Sequence, residues 1–290
     1  MNGKQKKKIC IFPHYHTGEY IPLYVKLYLN ELRHYFDEIL LVTNFRPLHN
    51  EPEVVSMGIS VLKVDNEGYD LGMFYKGFLH IRSGNYRQIA CLNDSNIVFG
   101  SLHQIFDWAE RHNPDFWGLF DSERKPKDCS HANSYHIQSH FIVFNGPALE
   151  LLPEFFSRID FQALAREKDV RTLKSKVIDL WEIGMTQFLL SKGLTGMSYV
   201  SCSDYQKRKR KPVNLSTCCY PEIIGRGVPV IKKRVINSTE SRHMFRIRAN
   251  WKILIRRYGD KSWDLEKLIA EMTGIRRKHI LRKFQLFFRH

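Results

Sequence analysis

No run of eighteen or more uncharged apolar residues occurs in this 290-residue chain, which argues against a membrane-spanning helix on the length that a bilayer core demands. The opening MNGKQKKK leads into an apolar segment of only five or six residues instead of a signal-peptide core, so the chain is expected to stay in the cytoplasm. Six cysteines are present without a single CxxC pair, and three of them sit in predicted strands as small hydrophobes, which points to a reduced compartment and away from a zinc site. Glycine-rich phosphate loops are also missing. The segment NEGYDLG does not fit GxGxxG, and this disfavours nucleoside triphosphatases and nicotinamide enzymes. Internal repeats and low-complexity tracts are absent apart from two short basic runs.

Acidic residues are scarce in one region. Residues 206–290 hold 23 Lys and Arg against 6 Asp and Glu, a balance of +17, whereas residues 1–205 hold 22 against 24, a balance of −2. Charge gathered in this way suits a polyanionic partner, either phospholipid head groups or nucleic acid, or forms a solvated face. The basic third carries no helix-turn-helix, finger or RNA-recognition signature, and this makes nucleic acid the weaker alternative.

What the chain does have is core-forming material, with 43% hydrophobic residues including 13% aromatics. From Lys8 onward β-rich and helix-periodic segments alternate. Strands are expected at KICIFPHY, DEILLVTN, GISVLKVDN (58–66), YRQIACLND (86–94), FWGLFDS (116–122), HIQSHFIVFN (136–145) and SYVSCSDY (198–205). Helices are expected at IPLYVKLYLNELRHY, 72–84, 101–113, from Pro147, and over 172–193. Strands separated by such helices predict an α/β fold with a mostly parallel sheet covered on both faces.

Ligands of such sheets bind at the carboxyl ends of the strands. That rule selects His14 and His16, Thr43 and Asn44, Asn66 and Asp70, Asn93-Asp94-Ser95, and Asp121-Ser122-Glu123. The carboxylates among them suit a base or ribose, or one divalent cation completed by phosphate oxygens. The alternative for Asn93-Asp94-Ser95 is an Asx turn that closes a strand.

Three ordered elements, N-x-G-x-D-x-G at 66–72, L-N-D-S at 92–95 and H-x-Q-S-x-F at 136–141, together with a late G-x-P-x-x-K at 227–232, resemble the rhamnan synthesis F family of bacterial polysaccharide glycosyltransferases. The likeness runs from Lys7 to Ile236, and His16 departs from it where Asp is frequent. The resemblance implies a GT-A-like domain over 1–236 that moves a sugar, often rhamnose, from a nucleoside diphosphate sugar to a lipid-linked saccharide. Residues 237–290 would form a basic amphipathic extension.

By that resemblance Asp94 is the residue that holds diphosphate and a divalent cation, Mg²⁺ or Mn²⁺, with Asn66, Asp70, Asn93 and Ser95 around it. Glu182 becomes the general base of an inverting transfer, with Asp121 as the alternative. His136 and Gln138 face sugar or phosphate. Lys232, Lys233 and Arg234 follow a Gly-x-Pro turn, where one lysine, Lys232 first, is enough to neutralise the leaving diphosphate, unless all three are protective edge-strand charges.

The mixtures of Trp, Phe, Leu and Ile with Arg and Lys at 246–258 and 275–290 match an interfacial helix on anionic lipid at the inner face of the plasma membrane, or a docking surface for the main domain or a partner glycosyltransferase. A non-catalytic scaffold is the competing function.

Overall fold

The computed structural model describes residues 6–206, 214–237 and 250–275, and its centre is one large mixed sheet. Its strands are β1 (Lys7–His14), β2 (Glu38–Thr43), β3 (Ser60–Lys63), β4 (Tyr86–Leu92), β6 (Phe116–Ser122), β7 (His136–Ile137), β8 (Phe141–Asn145) and β9 (Gly196–Val200); β5 (Asn96–Val98) and β10 (Val230–Lys232) form a separate two-stranded ribbon. The order is β3-β2-β1-β4-β8-β6-β7, with β9 alongside β6.

Strands β3, β2, β1 and β4 run parallel, as do β6 and β9, while β8 enters antiparallel between β4 and β6. The fold is therefore the α/β class expected, with a mostly parallel sheet between helical layers.

Alternation along the strands divides the core in two. Cys10, Phe12, Leu41, Ala90 and Leu92 face one layer, and Ile9, Ile11, Leu40, Val42, Ile89 and Cys91 face the other. The helices Leu23–Leu32 and His103–His112 cover the first face; Tyr69–His80 and Gly146–Ser157 cover the second. Strands buried on both faces read as continuous apolar runs, which is why they stand out in the sequence.

Two expected elements differ in form. The segment 136–145 is not one strand: it turns at Ser139-His140, leaving β7 paired to β6 and β8 crossing back to β4. The helical stretch over 172–193 is divided by a π-helical turn at Ile178–Ile183. Such wide turns accompany functional sites more often than ordinary helix does.

The basic C-terminal segment docks on this body. Trp251, Ile255, Leu265, Leu268, Ile269 and Met272 are buried in the first core layer, so the inner side of helix Trp251–Tyr258 faces protein and not lipid. Glu271 accepts from the amides of Leu23 (2.7 Å) and Tyr24 (3.1 Å), supplying the cap that Pro22 cannot give to helix Leu23–Leu32. Residues 246–249 and 276–290, including Ile280, Leu281, Phe284, Phe287 and Phe288, lie outside the described residues. Among the described residues no helix is long and apolar enough to cross a membrane.

Candidate functional site

The N-x-G-x-D-x-G segment is first a backbone device. Gly68 (φ 72°) and Tyr69 (φ 53°) both occupy the left-handed region, the second at a cost for a bulky residue. At Gly72 a Cβ would fall 1.6 Å from the Glu67 carbonyl oxygen, so only glycine permits the turn to close. The result places Asp70 in the first turn of helix Tyr69–His80, where its Oδ2 accepts from Asn93 Nδ2 at 2.6 Å.

Asn93 also makes the Asx turn, its Oδ1 accepting from the Ser95 amide (3.1 Å) and from the Ser95 hydroxyl. Turn and site are thus the same structure. Asp94, with 12% of its side chain exposed, gathers partners from three distant segments: Lys233 Nζ at 2.6 Å, Tyr24 Oη at 2.9 Å, and His14 Nδ1 at 3.1 Å, the last close but off-line for a hydrogen bond.

Burial would raise the Asp94 carboxyl, but Lys233 and His14 outweigh it and hold the group well below its ordinary range. Asp70 shows the reverse, pushed up to about 6 by burial and by the Asp94 charge.

The lysines arrive on the ribbon. Antiparallel register sets Val230 against Val98, Ile231 against Ile97 and Lys232 against Asn96, and the Lys233 amide donates to the Ser95 carbonyl at 2.8 Å. Lys232 Nζ reaches Ser95 Oγ at 3.2 Å. It forms no ion pair among the described residues, although Glu182, Asp70 and Asp94 are near enough to oppose the effect of burial, which lowers its pKa to about 7.

Glu182 stands on the π-helical turn and completes the cluster. Its Oε1 accepts from Ser139 Oγ (2.7 Å) and more weakly from the Ser139 amide (3.3 Å), while Oε2 lies 3.8 Å from His136 Nε2. On the same turn Asp179 holds Ser130 through its amide (3.0 Å) and hydroxyl (2.7 Å), and Trp181 is buried against Phe74, Phe155 and Phe156. Asp179, Trp181 and Glu182 are thus each held by a different partner.

Asp70, Asn93, Asp94, Ser95, His136, Glu182 and Lys232 are therefore brought together. Asn66 is solvent-exposed in the loop ahead of Gly68. Asp121 is not at this cluster's centre: its carboxylate accepts from Ser198 Oγ (2.9 Å), Ser201 Oγ (3.0 Å) and the Cys202 amide, so its hydrogen-bonding capacity is spent on the end of β9. Gln138 is likewise engaged by the scaffold, since its Oε1 accepts from His140 Nε2 at 3.0 Å. Asn96 donates to the other nitrogen of that ring at 2.9 Å, and burial keeps His140 neutral.

The donor set does not fit the cation role expected of Asp94. Asp94 Oδ2 already serves Lys233 and Tyr24, and the lysine ammonium would repel an ion on the same carboxylate. Among the described residues no three His, Cys, Asp or Glu side chains gather as metal ligands.

Tyr24 and Ser139 were the less visible members. Tyr24 reads as a core aromatic on an amphipathic helix, and nothing local marks its hydroxyl; Ser139 lies within a quoted motif.

The family model for rhamnan synthesis protein F matches residues 48–256, which is 209 of the 290 residues. The chain belongs to that family. Membership makes it a transferase of polysaccharide biosynthesis, and the matched span contains every member of the cluster except His14 and Tyr24.

No curated protein matches the chain in sequence. Among solved structures, it is similar to a putative glucose-1-phosphate thymidylyltransferase from Bacillus anthracis (9% identity, TM-score 0.43, covering 67% of this chain and 86% of the other). A second is a 4-diphosphocytidyl-2C-methyl-D-erythritol synthase from Anaerococcus prevotii (13%, 0.42, 68% and 89%). At these scores neither bears on substrate or reaction.

Proposed function

We propose that this chain is a glycosyltransferase that takes a sugar from a nucleoside diphosphate donor and passes it, with inversion, to a saccharide acceptor. The observation that carries this reading is the convergence of Lys232 with Glu182, two groups of opposite charge that face one cluster without forming a direct ion pair there. A donor diphosphate supplies the missing counter-charge for the lysine, and an acceptor hydroxyl supplies the missing proton for the carboxylate.

In this mechanism Ser139 holds Glu182 Oε1 by two hydrogen bonds, leaving Oε2 to accept. The acceptor hydroxyl gives its proton to Oε2 while its oxygen bonds to C1 of the donor sugar. The bond from C1 to the phosphate oxygen breaks on the opposite face, and the electron pair leaves with the diphosphate. Charge on that leaving oxygen grows toward the transition state, where an ammonium in a partly desolvated site stabilises it most. Rhamnose as the sugar accords with the family's printed name, and a lipid-linked acceptor at a membrane surface accords with the +17 balance of residues 206–290.

The test is single-turnover release of nucleoside diphosphate from a panel of nucleotide sugars with saccharide acceptors. Glu182→Gln is expected to keep donor affinity and lower the chemical step by roughly 10²- to 10⁴-fold. Full turnover in that variant would remove Glu182 as the base. No release from any donor would argue for the scaffold.

A further inference from the structure

Resting on the donor reading above, we infer that Lys232 and Lys233 supply the counter-charge to the donor diphosphate in place of a divalent cation, with Asp94 acting as the positioning residue for Lys233. The argument begins with connectivity. The β5–β10 ribbon exists only because residues 230–232 pair with 96–98, and this pairing delivers two adjacent lysines to Asn93-Asp94-Ser95 from 137 positions further along the chain. Had the ribbon served the core alone, Val230 and Ile231 would have sufficed. Both are buried, whereas the lysine that ends the strand is turned toward the carboxylate cluster.

The two lysines are held differently. Lys233 is clamped between Asp94 Oδ2 (2.6 Å) and Tyr24 Oη (3.1 Å), and Tyr24 is itself placed by a helix capped from Glu271. An ammonium so fixed cannot swing to another partner without leaving a buried carboxylate unpaired. Lys232 has only the Ser95 hydroxyl as its direct partner among the described residues, which leaves two of its three donors for a ligand.

The carboxylates of the cluster already have cations beside them: Asp94 is paired with Lys233, and Glu182 and Asp70 lie near enough to Lys232 to favour its charged form. One oxygen of each of the two aspartates, the ligand a hard cation favours, is taken: Asp94 Oδ2 by Lys233 and Tyr24, Asp70 Oδ2 by Asn93. Phosphate oxygens, by contrast, match what remains. These are the free N–H groups of Lys232, a point charge of the kind that binds phosphate, held in place by the Ser95 oxygen that accepts its third N–H. His14 adds a second sign of an incomplete site, since its Nε2 is buried next to Asp94 without a hydrogen-bond partner among the described residues.

The experiment is calorimetric binding of UDP, dTDP, GDP, CDP and ADP, and of the matching monophosphates, in EDTA and again in Mg²⁺, to the wild type, Lys232→Met and Lys232→Arg. At least one diphosphate is expected to bind in EDTA within about twofold of its affinity in Mg²⁺. Lys232→Met is expected to weaken that diphosphate about tenfold or more while changing the monophosphate less, and Lys232→Arg to restore most of the loss. Melting curves of the variants separate lost binding from lost fold.

Diphosphate binding that appears only with Mg²⁺ would overturn this inference and leave the donor reading intact. Equal affinity in wild type and Lys232→Met would overturn the assignment to Lys232. Binding of no nucleotide in either buffer would refute the donor reading itself, and this inference with it.

Discussion

Asp94 and Asp121 follow or end strands of the same sheet, both are buried, and both looked alike as acidic strand tips, yet the structure surrounds them in opposite ways. Asp121 is satisfied by neutral donors, chiefly two hydroxyls and one amide from residues 198–202, with the Tyr135 phenol beside them. Asp94 is satisfied by an ammonium, a phenol and a nearby imidazole drawn from β1, a helix, and the end of β10. A carboxylate tied to one neighbouring segment by neutral groups anchors that segment. A carboxylate on which charges converge from separate parts of the chain organises a site, because assembling those charges needs a return beyond local stability.

The largest effect that distinguishes the two comes from neutralising each. Asp94→Asn leaves the Lys233 ammonium without its counter-ion in a place where the pair is largely shielded from water, a loss in the range of about 3–5 kcal/mol instead of the fraction expected of a surface pair. It should lower the melting temperature and also reduce kcat/KM per folded molecule by orders of magnitude. Asp121→Asn removes charge from hydrogen bonds whose partners remain, with a stability loss of about 2 kcal/mol and kcat/KM within about threefold of wild type. Melting curves and kinetics on both variants check this; comparable catalytic losses would erase the distinction.

A smaller effect sharpens the same contrast through pH. Lys232 is brought down to about 7 by burial, against the pull of Glu182, Asp70 and Asp94, so binding of a doubly charged nucleotide sugar needs this lysine protonated. Affinity should hold below pH 7 and fall by up to about tenfold per pH unit above it, until the pKa of the bound state is reached. The sign for stability runs the other way. Between about 7 and the ordinary 10.5 the unfolded chain carries a proton that the folded one has released, so this group makes stability rise with pH across that window. Titration of donor affinity from pH 6 to 9 is the check, and Lys232→Met should flatten the profile.

Much of this was legible in the sequence, for definite reasons. The strand β6 was read at its observed bounds because a strand buried on both faces is a continuous apolar run, and β1 and β4 were read to within two residues because their tips turn polar abruptly at His14 and Asn93. The three motifs were visible as motifs, but one of their purposes was not: Gly68 and Gly72 serve the backbone turn that aims Asp70, a role that only the close approach to Glu67 reveals.

What escaped reading was pairing between distant segments. Nothing in HIQSHFIVFN announces that it breaks into two strands, β7 on β6 and β8 between β4 and β6, and nothing in Val230–Lys232 announces β5 as partner, because register depends on the assembled sheet. The π-helical turn was hidden for a similar reason: local propensity favours an unbroken helix there, and it is the separate partners of Asp179, Trp181 and Glu182 that the wider turn accommodates. Gln138 looked like a ligand-facing amide and proved to be the support of His140, a buried imidazole that no local pattern distinguishes from a reactive one.

The most direct measurement of the central claim is a crystal structure of the complex with whichever nucleotide binds. The account predicts diphosphate oxygens within about 3 Å of Lys232 Nζ and beside Ser95, with the sugar end directed toward Glu182. A nucleotide seated elsewhere, for example in the depression lined by Tyr199, Asp204, Tyr205 and Arg226, would contradict it.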